Sequence, residues 1–409
     1  MHVSQVSPDG LWLDKDLSQP EPIAQAGIDR VVALMQDGRL HRYGETGGGL
    51  PEPSLLEQEY AAYVGAKYCV AMSSCGATMF VALKALGVAP GDKVLTSTFT
   101  LAPVPGAIAH AGAEPVLVET TANYTTDLQD LARKAKSSGA KVFLISHMRG
   151  HITDMQAVRE ICDAANVAVV EDCAHTMGAR WDGKFSGTWG QVGCFSTQTY
   201  KHINSGEGGL LVTDDEDICA QAILFSGSYM LYQQHKAAPD AAVFERWRYK
   251  TPNFSMRMSN HAAAMLRPQL SDMPRRAAKW NDLYAHLERE LAGLAGLVVP
   301  PRDPREQFVA SSLQFTLTMS EPRIKAFLAA CDARGLHIKW FGRDEPQGFT
   351  SNYTHWQYMR EPQQLPNSLN LMAGLCDMRI SLQLTANDCI LIGKIVRAAL
   401  IQSQTHENA

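Results

Sequence analysis

The sequence predicts an α/β fold, a mostly parallel sheet of about seven strands with helices on both faces followed by a smaller α+β unit. Three observations carry this expectation. From about residue 66 onward, apolar strand-like runs alternate with stretches of helical periodicity. Past Asp272 the texture changes to one long amphipathic stretch and then to mixed strands and helices. At 409 residues with 45% apolar and 19% charged side chains, the chain is long enough to bury a large core and to form two domains.

Taken in order, AKYCVAMS reads as a strand, ATMFVALKALG as a helix stopped by Gly87, and DKVLTSTF as the next strand. AEPVLVE, AKVFLISH, the helix MQAVREICDAAN and VAVVEDCA continue the alternation, and VGCFST and GGLLVTDD add two further strands. PRRAAKWNDLYAHLERELAGL is a long amphipathic helix. The strand SLQFTLTM, the helix EPRIKAFLAACDARG, the strands LHIKWF and MRISL, and a last helix from Asn387 make up the small domain. The division expected is an N-terminal arm at 1–30, a large α/β domain at 31–270, and the linking helix with the small α+β domain at 271–409.

Composition excludes several classes. The net charge is −5, from 37 basic and 42 acidic residues, and no basic block stands ready to gather a polyanion, so nucleic acid is not an expected partner. The nine cysteines are odd in number and lack C-x-x-C pairs, which argues against a disulfide framework and against a structural zinc site, and no metal is expected. The opening residues have no apolar signal region and no apolar span of transmembrane length occurs, so a cytoplasmic location is the default.

The chemistry collects at the ends of the strands of the large domain, where ligands sit in open α/β sheets. SSCGAT, with Ser73, Ser74, Cys75 and Gly76, lies at a strand-to-helix junction whose free N–H groups favour an anion, although a plain N-cap explains it equally well. VVEDCAHTMGA puts Asp172 and His175 after a buried strand. A carboxylate there needs a partner, either a cap or ion pair or the protonated ring nitrogen of a cofactor. STQTYKHINSGEGG supplies Ser196 and Lys201. A lysine near phosphate donors without the nucleotide-loop spacing, an acid one strand away and two hydroxyl segments match pyridoxal phosphate (PLP): aldehyde to Lys201, ring nitrogen to Asp172, phosphate to Ser73, Ser74 and Ser196. In TPNFSMRMSNHAAAMLRPQL, Asn253 and Arg257 precede a helix and read by themselves as capping or surface residues.

Three blocks, VEDCAHTMGARWDGKFSG, GCFSTQTYKHINSGEGGLLVTDD and NFSMRMSNHAAAMLRPQL, resemble the signature segments of the DegT/DnrJ/EryC1/StrS aminotransferases, fold-type-I PLP enzymes that aminate keto sugars; the likeness runs from roughly Tyr43 to the C-terminus. The resemblance implies that Lys201 bonds the cofactor aldehyde and shuttles the proton. It implies that Asp172 pairs with the ring nitrogen, that His175 lies near the ring, and that Ser196 binds phosphate. Asn253 matches an asparagine that reaches the phosphate from a neighbouring subunit, which implies a homodimer with shared sites. The chain departs from the family at Cys75-Gly76, which replaces a Gly-Thr, and at Leu101, which stands where an aromatic usually stacks on the ring. Phe99, two residues earlier, would share a face with Leu101 if the strand continued.

By the same likeness, glutamate or glutamine donates an amino group, leaving the pyridoxamine form, and a keto substrate accepts it in a ping-pong sequence. A sister class of sugar dehydratases has histidine at the lysine position, where this chain has Lys201 with His202 beside it. For substrate contacts, Arg149, flanked by His147 and His151, is a candidate carboxylate or phosphate clamp. The long segment before Asn253 offers Tyr229, Arg246, Trp247 and Arg248 either to a substrate or to a subunit contact. YGETGGGLPEP is a candidate substrate loop, and the aromatic run HIKWFGRDEPQGFTSNYTHWQYM resembles loosely the family branch that aminates an acidic sugar. A PLP or pyridoxamine-dependent lyase or dehydratase, and a non-catalytic PLP-binding regulator, stand as alternatives.

Overall fold

The computed structural model describes residues 9–44, 49–227, 229–345 and 352–404. Nine strands belong to the large domain: β1 (Tyr68–Met72), β2 (Lys93–Ser97), β3 (Glu114–Val118), β4 (Val142–Ser146), β5 (Ala168–Asp172), β6 (Arg180–Trp181), β7 (Lys184–Phe185), β8 (Val192–Ser196) and β9 (Gly209–Thr213). Seven of them form one sheet in the order β1-β9-β8-β5-β4-β2-β3. All its pairings are parallel except the two that β9 makes with β1 and β8. The central strands β4, β8 and β9 are buried at every position, as helices packed on both faces require.

The order of strands brings the candidate residues to one edge. In register, Ser146 pairs with Asp172, Asp172 with Cys194, Ser196 with Gly209, and Gly209 with Met72. The ends of β4, β5, β8 and β1 and the start of β9 therefore open onto the same crevice. The helix Cys75–Ala85 begins there, capped by Ser74, whose hydroxyl accepts the Ala77 N–H. Leu86 caps its other end and Gly87 follows at φ 81°, a left-handed conformation that glycine adopts without strain.

The small sheet comprises β10 (Leu297–Val298), β12 (Ser312–Leu317), β13 (Lys339–Trp340) and β14 (Leu375–Arg379) in the order β10-β12-β14-β13, with β11 (Glu306–Gln307) between them in sequence. The long helix Met273–Leu291 and the last helix Ala386–Ser403 cover it, and the latter opens on a capping box between Thr385 and Asp388. The strand expected over MRISL begins earlier and ends at Arg379: beyond Ile380 the chain turns to the N-terminal segment, where the Ser381 hydroxyl donates to the Gln19 carbonyl.

The two sheets are not independent. β11 pairs with β6, and β6 with β7, so a three-stranded ribbon ties residues 180–185 to residues 306–307. The N-terminal segment is tied to the small domain by Leu13 and Asp9, which bond to Arg334, and by Gln19, which accepts from Ser381, before the helix Gln25–Asp37 begins. All nine cysteines are buried and unpaired. Among the described residues no helix is long and apolar enough to cross a membrane. The loop read in YGETGGGLPEP falls in part on residues 45–48, and the aromatic run of the small domain in part on 346–351; both stretches lie outside the described residues.

Candidate active site

The glycine run that follows Lys201 is a packing requirement. A Cβ on Gly208 would stand 2.2 Å from the Thr197 hydroxyl, and one on Gly209 would stand 2.4 Å from the Ser74 carbonyl carbon. Only glycine lets β9 approach the Ser74 turn this closely. The loop is closed by Thr197 N–H to Gly208 O, Thr199 N–H to Gly206 O and Ser205 N–H to Thr197 O, with Lys201 N–H returning to Gln198 O. Lys201 is thus carried on a short, hydrogen-bonded loop over the ends of β8 and β9. We expect Gly209→Ala to cost about 2–3 kcal/mol through overpacking, read as a lower denaturant midpoint, and to weaken cofactor retention because the Ser74 turn must move.

A cavity of about 370 Å³ occupies the crevice, lined among others by Ser74, Cys75, Asp172, His175, Ser196 and Lys201. Lys201 Nζ lies 2.8 Å from His175 Nε2. Burial, then the charge of Arg149, lowers the lysine to about 8 in spite of Asp172, and burial followed by Lys201 holds His175 well below the ordinary histidine value. A neutral imidazole and an easily deprotonated amine therefore face each other. The Asp172 carboxylate accepts the Ser146 hydroxyl at 2.8 Å and the Ala174 N–H at 3.1 Å, and the Cys75 thiol lies 3.9 Å away.

The donors in the cavity fit pyridoxal phosphate. At the anionic end stand the N-terminus of the helix Cys75–Ala85 and two serine hydroxyls, Ser74 and Ser196. Each hydroxyl accepts a local backbone N–H, from Ala77 and Gln198 respectively, so its own proton is free for a ligand. Adding a side chain at Gly76 would meet only the Ser74 hydroxyl, at 3.7 Å, so its backbone is open to a bound group. An acid for a ring nitrogen and an amine for an aldehyde complete the set.

Not every candidate joins this assembly. Ser73 is exposed and outside the cavity, its N–H donating to Met256 O. Leu101 lines the cavity but Phe99 does not: β2 ends at Ser97, the chain bends, and the two-residue alternation that would have paired them lapses, so Phe99 packs instead against Tyr124 and Phe341. Asn253 is exposed, its amide donating to the Leu224 and Gly227 carbonyls at 2.7 Å each. Arg246 is spent on Glu216 and Asp217, the Trp247 indole N–H donates to Asp217, Arg248 pairs with Glu245, and Tyr229 points to solvent at 74% exposure. None of these four lines the cavity of its own chain.

Arg149 does line it, with φ 56°, and its guanidinium pairs with Asp377 at 2.6 Å. Its neighbours His147 and His151 are structural, spent on Glu171 and Gln314. His202 is buried edge-on against Trp280 and faces Val309 O, away from the cavity. Sequence reasoning missed Ser146, legible only once β4 and β5 are known to be neighbours in parallel register. It also missed Arg379 and Tyr200, which line the cavity; an arginine inside the apolar run MRISL was the available signal.

The fold and the crevice together define a fold-type-I PLP-dependent aminotransferase. Among solved structures, 3-amino-5-hydroxybenzoic acid synthase superposes with a TM-score of 0.80 at 24% identity, covering 93% of this chain and 97% of that one. The aminotransferase TlmJ from Streptoalloteichus hindustanus gives 0.79 at 21%, covering 94% and 98%; at these identities the likeness carries the fold. The chain belongs to the DegT/DnrJ/EryC1/StrS aminotransferase family, whose profile matches residues 23–397. It is 31% identical over 281 residues to the spore coat polysaccharide biosynthesis protein SpsC of Bacillus subtilis, spanning 68% of this chain and 69% of that protein. It is 30% identical over 283 residues to a putative L-glutamine:3-amino-2,3-dideoxy-scyllo-inosose aminotransferase of Micromonospora echinospora, spanning 68% and 64%.

Proposed function

We propose that the chain transfers an amino group from glutamate or glutamine to a keto sugar or a related cyclic or acidic ketone. The observation that carries this reading is the position of Lys201 Nζ, inside a cavity that also holds Asp172 and a helix N-terminus. Bound there, PLP supplies an electron sink for the carbanion formed when the donor loses its α-proton. Lys201 would hold the cofactor through its Nζ and would carry the proton moved at the donor's α-carbon, a task suited to an amine lowered to about 8. Asp172, fixed by Ser146 and the Ala174 N–H, would hold the ring nitrogen cationic. His175 accepts from Lys201, and Ser74, Ser196 and the N–H groups of Cys75 and Gly76 would hold the phosphate.

Lysine at the attachment position favours transamination over dehydration, and the seclusion of His202 supports this. A sugar acceptor is supported by relatives named as an inosose aminotransferase and as GDP-perosamine synthases. Adding L-glutamate to the holoprotein without acceptor should convert the cofactor to its pyridoxamine form at one equivalent per site, followed by absorbance. No conversion with either glutamate or glutamine, alongside elimination products from a keto sugar, would sink the reading. The same reading makes the enzyme a cytoplasmic homodimer. It is supported by the free cysteines and by the exposed apolar row Ile28, Val32 and Met35 on the helix Gln25–Asp37. By the family likeness Asn253 would reach the phosphate of a second copy, which requires its exposed amide to give up its local carbonyl partners.

A further inference from the structure

Asp172 is held from further away than its immediate partner. Its Oδ2 accepts the Ser146 hydroxyl at 2.8 Å, and the Ser146 oxygen in turn accepts the Thr100 hydroxyl at 2.8 Å. The three side chains come from the stretch after β2, the end of β4 and the end of β5, and all three are buried. Asp172 lines the cavity, whereas Thr100 and Ser146 do not.

Chemistry fixes the direction of this chain. A carboxylate has no proton to give, so Ser146 must point its own proton at Asp172, and its oxygen is left to accept the proton of Thr100. Neighbouring hydroxyls are used differently. Thr96 donates to the Leu144 carbonyl and Thr98 to the Val118 carbonyl, the ordinary way to satisfy a buried threonine. Ser97 meets Thr126 and accepts the Ser146 N–H at 3.1 Å, which fixes the backbone from which the Ser146 hydroxyl reaches out. Thr100, by contrast, spends its proton on a side chain that bonds the acid. Out of water, hydrogen bonds in series polarise one another, so the bond from Thr100 makes Ser146 a stronger donor to the carboxylate.

We propose that Thr100 is a positioning residue for Asp172: through Ser146 it holds the carboxylate charged, so that the proton between Asp172 and a bound pyridine ring stays on the ring nitrogen. A buried cation facing a buried anion competes with the neutral pair formed when the proton crosses to the carboxylate. Hydrogen bonds donated to the carboxylate oppose that crossing, because they stabilise the anion more than the neutral acid. Hydroxyls do this without bringing a charge of their own, which a lysine or arginine beside Asp172 would set against the cationic ring. The inference deepens the reading of the previous subsection and rests on it.

The test uses the holoenzyme loaded with PLP isotopically labelled at the ring nitrogen, whose NMR shift reports whether that atom carries a proton. Wild type and Asp172→Asn set the protonated and unprotonated ends of the scale. Thr100→Val, which removes the hydroxyl and keeps the shape, should move the signal part of the way towards the Asp172→Asn end, and Thr100→Ser should restore it. The glutamate half-reaction should slow roughly three- to tenfold in Thr100→Val and roughly ten- to a hundredfold in Ser146→Ala, which loses the bond to the charged group itself. Because Thr100 acts through Ser146, the double variant should be no slower than Ser146→Ala alone. Should Thr100→Val prove too unstable to purify, Thr100→Ala against Thr100→Ser carries the same comparison. A nitrogen signal that stays at the wild-type position in the variant lacking the hydroxyl, whatever its rate or stability, would overturn the relay, and so would rate losses that simply multiply in the double variant. A signal unmoved even in Asp172→Asn would instead remove the underlying assignment of Asp172, and the relay with it.

Discussion

Lys201→Ala is expected to lower turnover by roughly 10³-fold or more, since it removes both the attachment point and the proton carrier. Folding should survive. The side chain hydrogen-bonds only to His175 among the described residues, and the loop is held by backbone bonds from Thr197, Thr199 and Ser205 that the substitution leaves alone. Circular dichroism should match the wild type, and borohydride reduction with peptide mapping should find the pyridoxyl label on Lys201 of the wild type and nowhere in the variant. The pH dependence carries a sign. Burial and Arg149 depress this amine from 10.5 to about 8, so the neutral form is gained on raising pH through about 8. Cofactor capture by the apoprotein should rise with pH to about 8 and then level, whereas an unperturbed lysine would go on gaining to 10.5. Full turnover in the alanine variant, or a label on another lysine, would remove the chemical centre from this account.

The elements that were legible in the sequence are those long enough to show a period. The buried strands of the large sheet, the helix Cys75–Ala85 and the long helix Met273–Leu291 carry enough residues for apolar spacing to separate strand from helix. The two-residue strands β6, β7, β10 and β11 carry none. One of these had a local signal all the same. Asp182-Gly183, both at positive φ, make the tight turn between β6 and β7, the dipeptide that two-residue hairpins favour. Its pairing with β11, more than a hundred residues away, has no local signature at all.

For the site, residue type and local spacing were enough where function rides on one loop or one strand end, as with Lys201, Asp172, Ser74 and Ser196. They failed where the answer depends on what else competes for a side chain. Arg246 and Trp247 have the chemistry to bind a substrate anion or ring, but the helix Ala241–Trp247 packs beside the acidic start of the helix Glu216–Ser226, and Asp217 takes both. Arg379 shows the reverse. Its sequence neighbours read as strand core, and only the pairing of β14 with β12, followed by the turn toward Gln19, places it at the strand's end, where it lines the same cavity as Lys201.

Asp172→Asn should leave the fold in place and lower turnover by about two to three orders of magnitude. Asparagine keeps the size and can still accept from the Ala174 N–H through its carbonyl oxygen, with its NH2 group in place of the other oxygen donating to a reoriented Ser146 hydroxyl, so the end of β5 need not shift. It cannot supply a negative charge. The ring nitrogen then loses the partner that keeps it cationic, and the carbanion formed on removal of the α-proton loses most of its stabilisation. The deficit should appear in the rate of the glutamate half-reaction at saturation far more than in glutamate affinity, because the aspartate acts on the ring nitrogen and not on the donor. Stopped-flow absorbance measures both. Cofactor affinity should fall as well, by a smaller factor, since the phosphate anchors at Ser74 and Ser196 are untouched. If Asp172→Asn slowed the half-reaction no more than a conservative change at an uninvolved surface aspartate such as Asp282, the carboxylate would be acting only as a cap for the turn at Ala174, and the electron sink would have to be supported from elsewhere in the cavity.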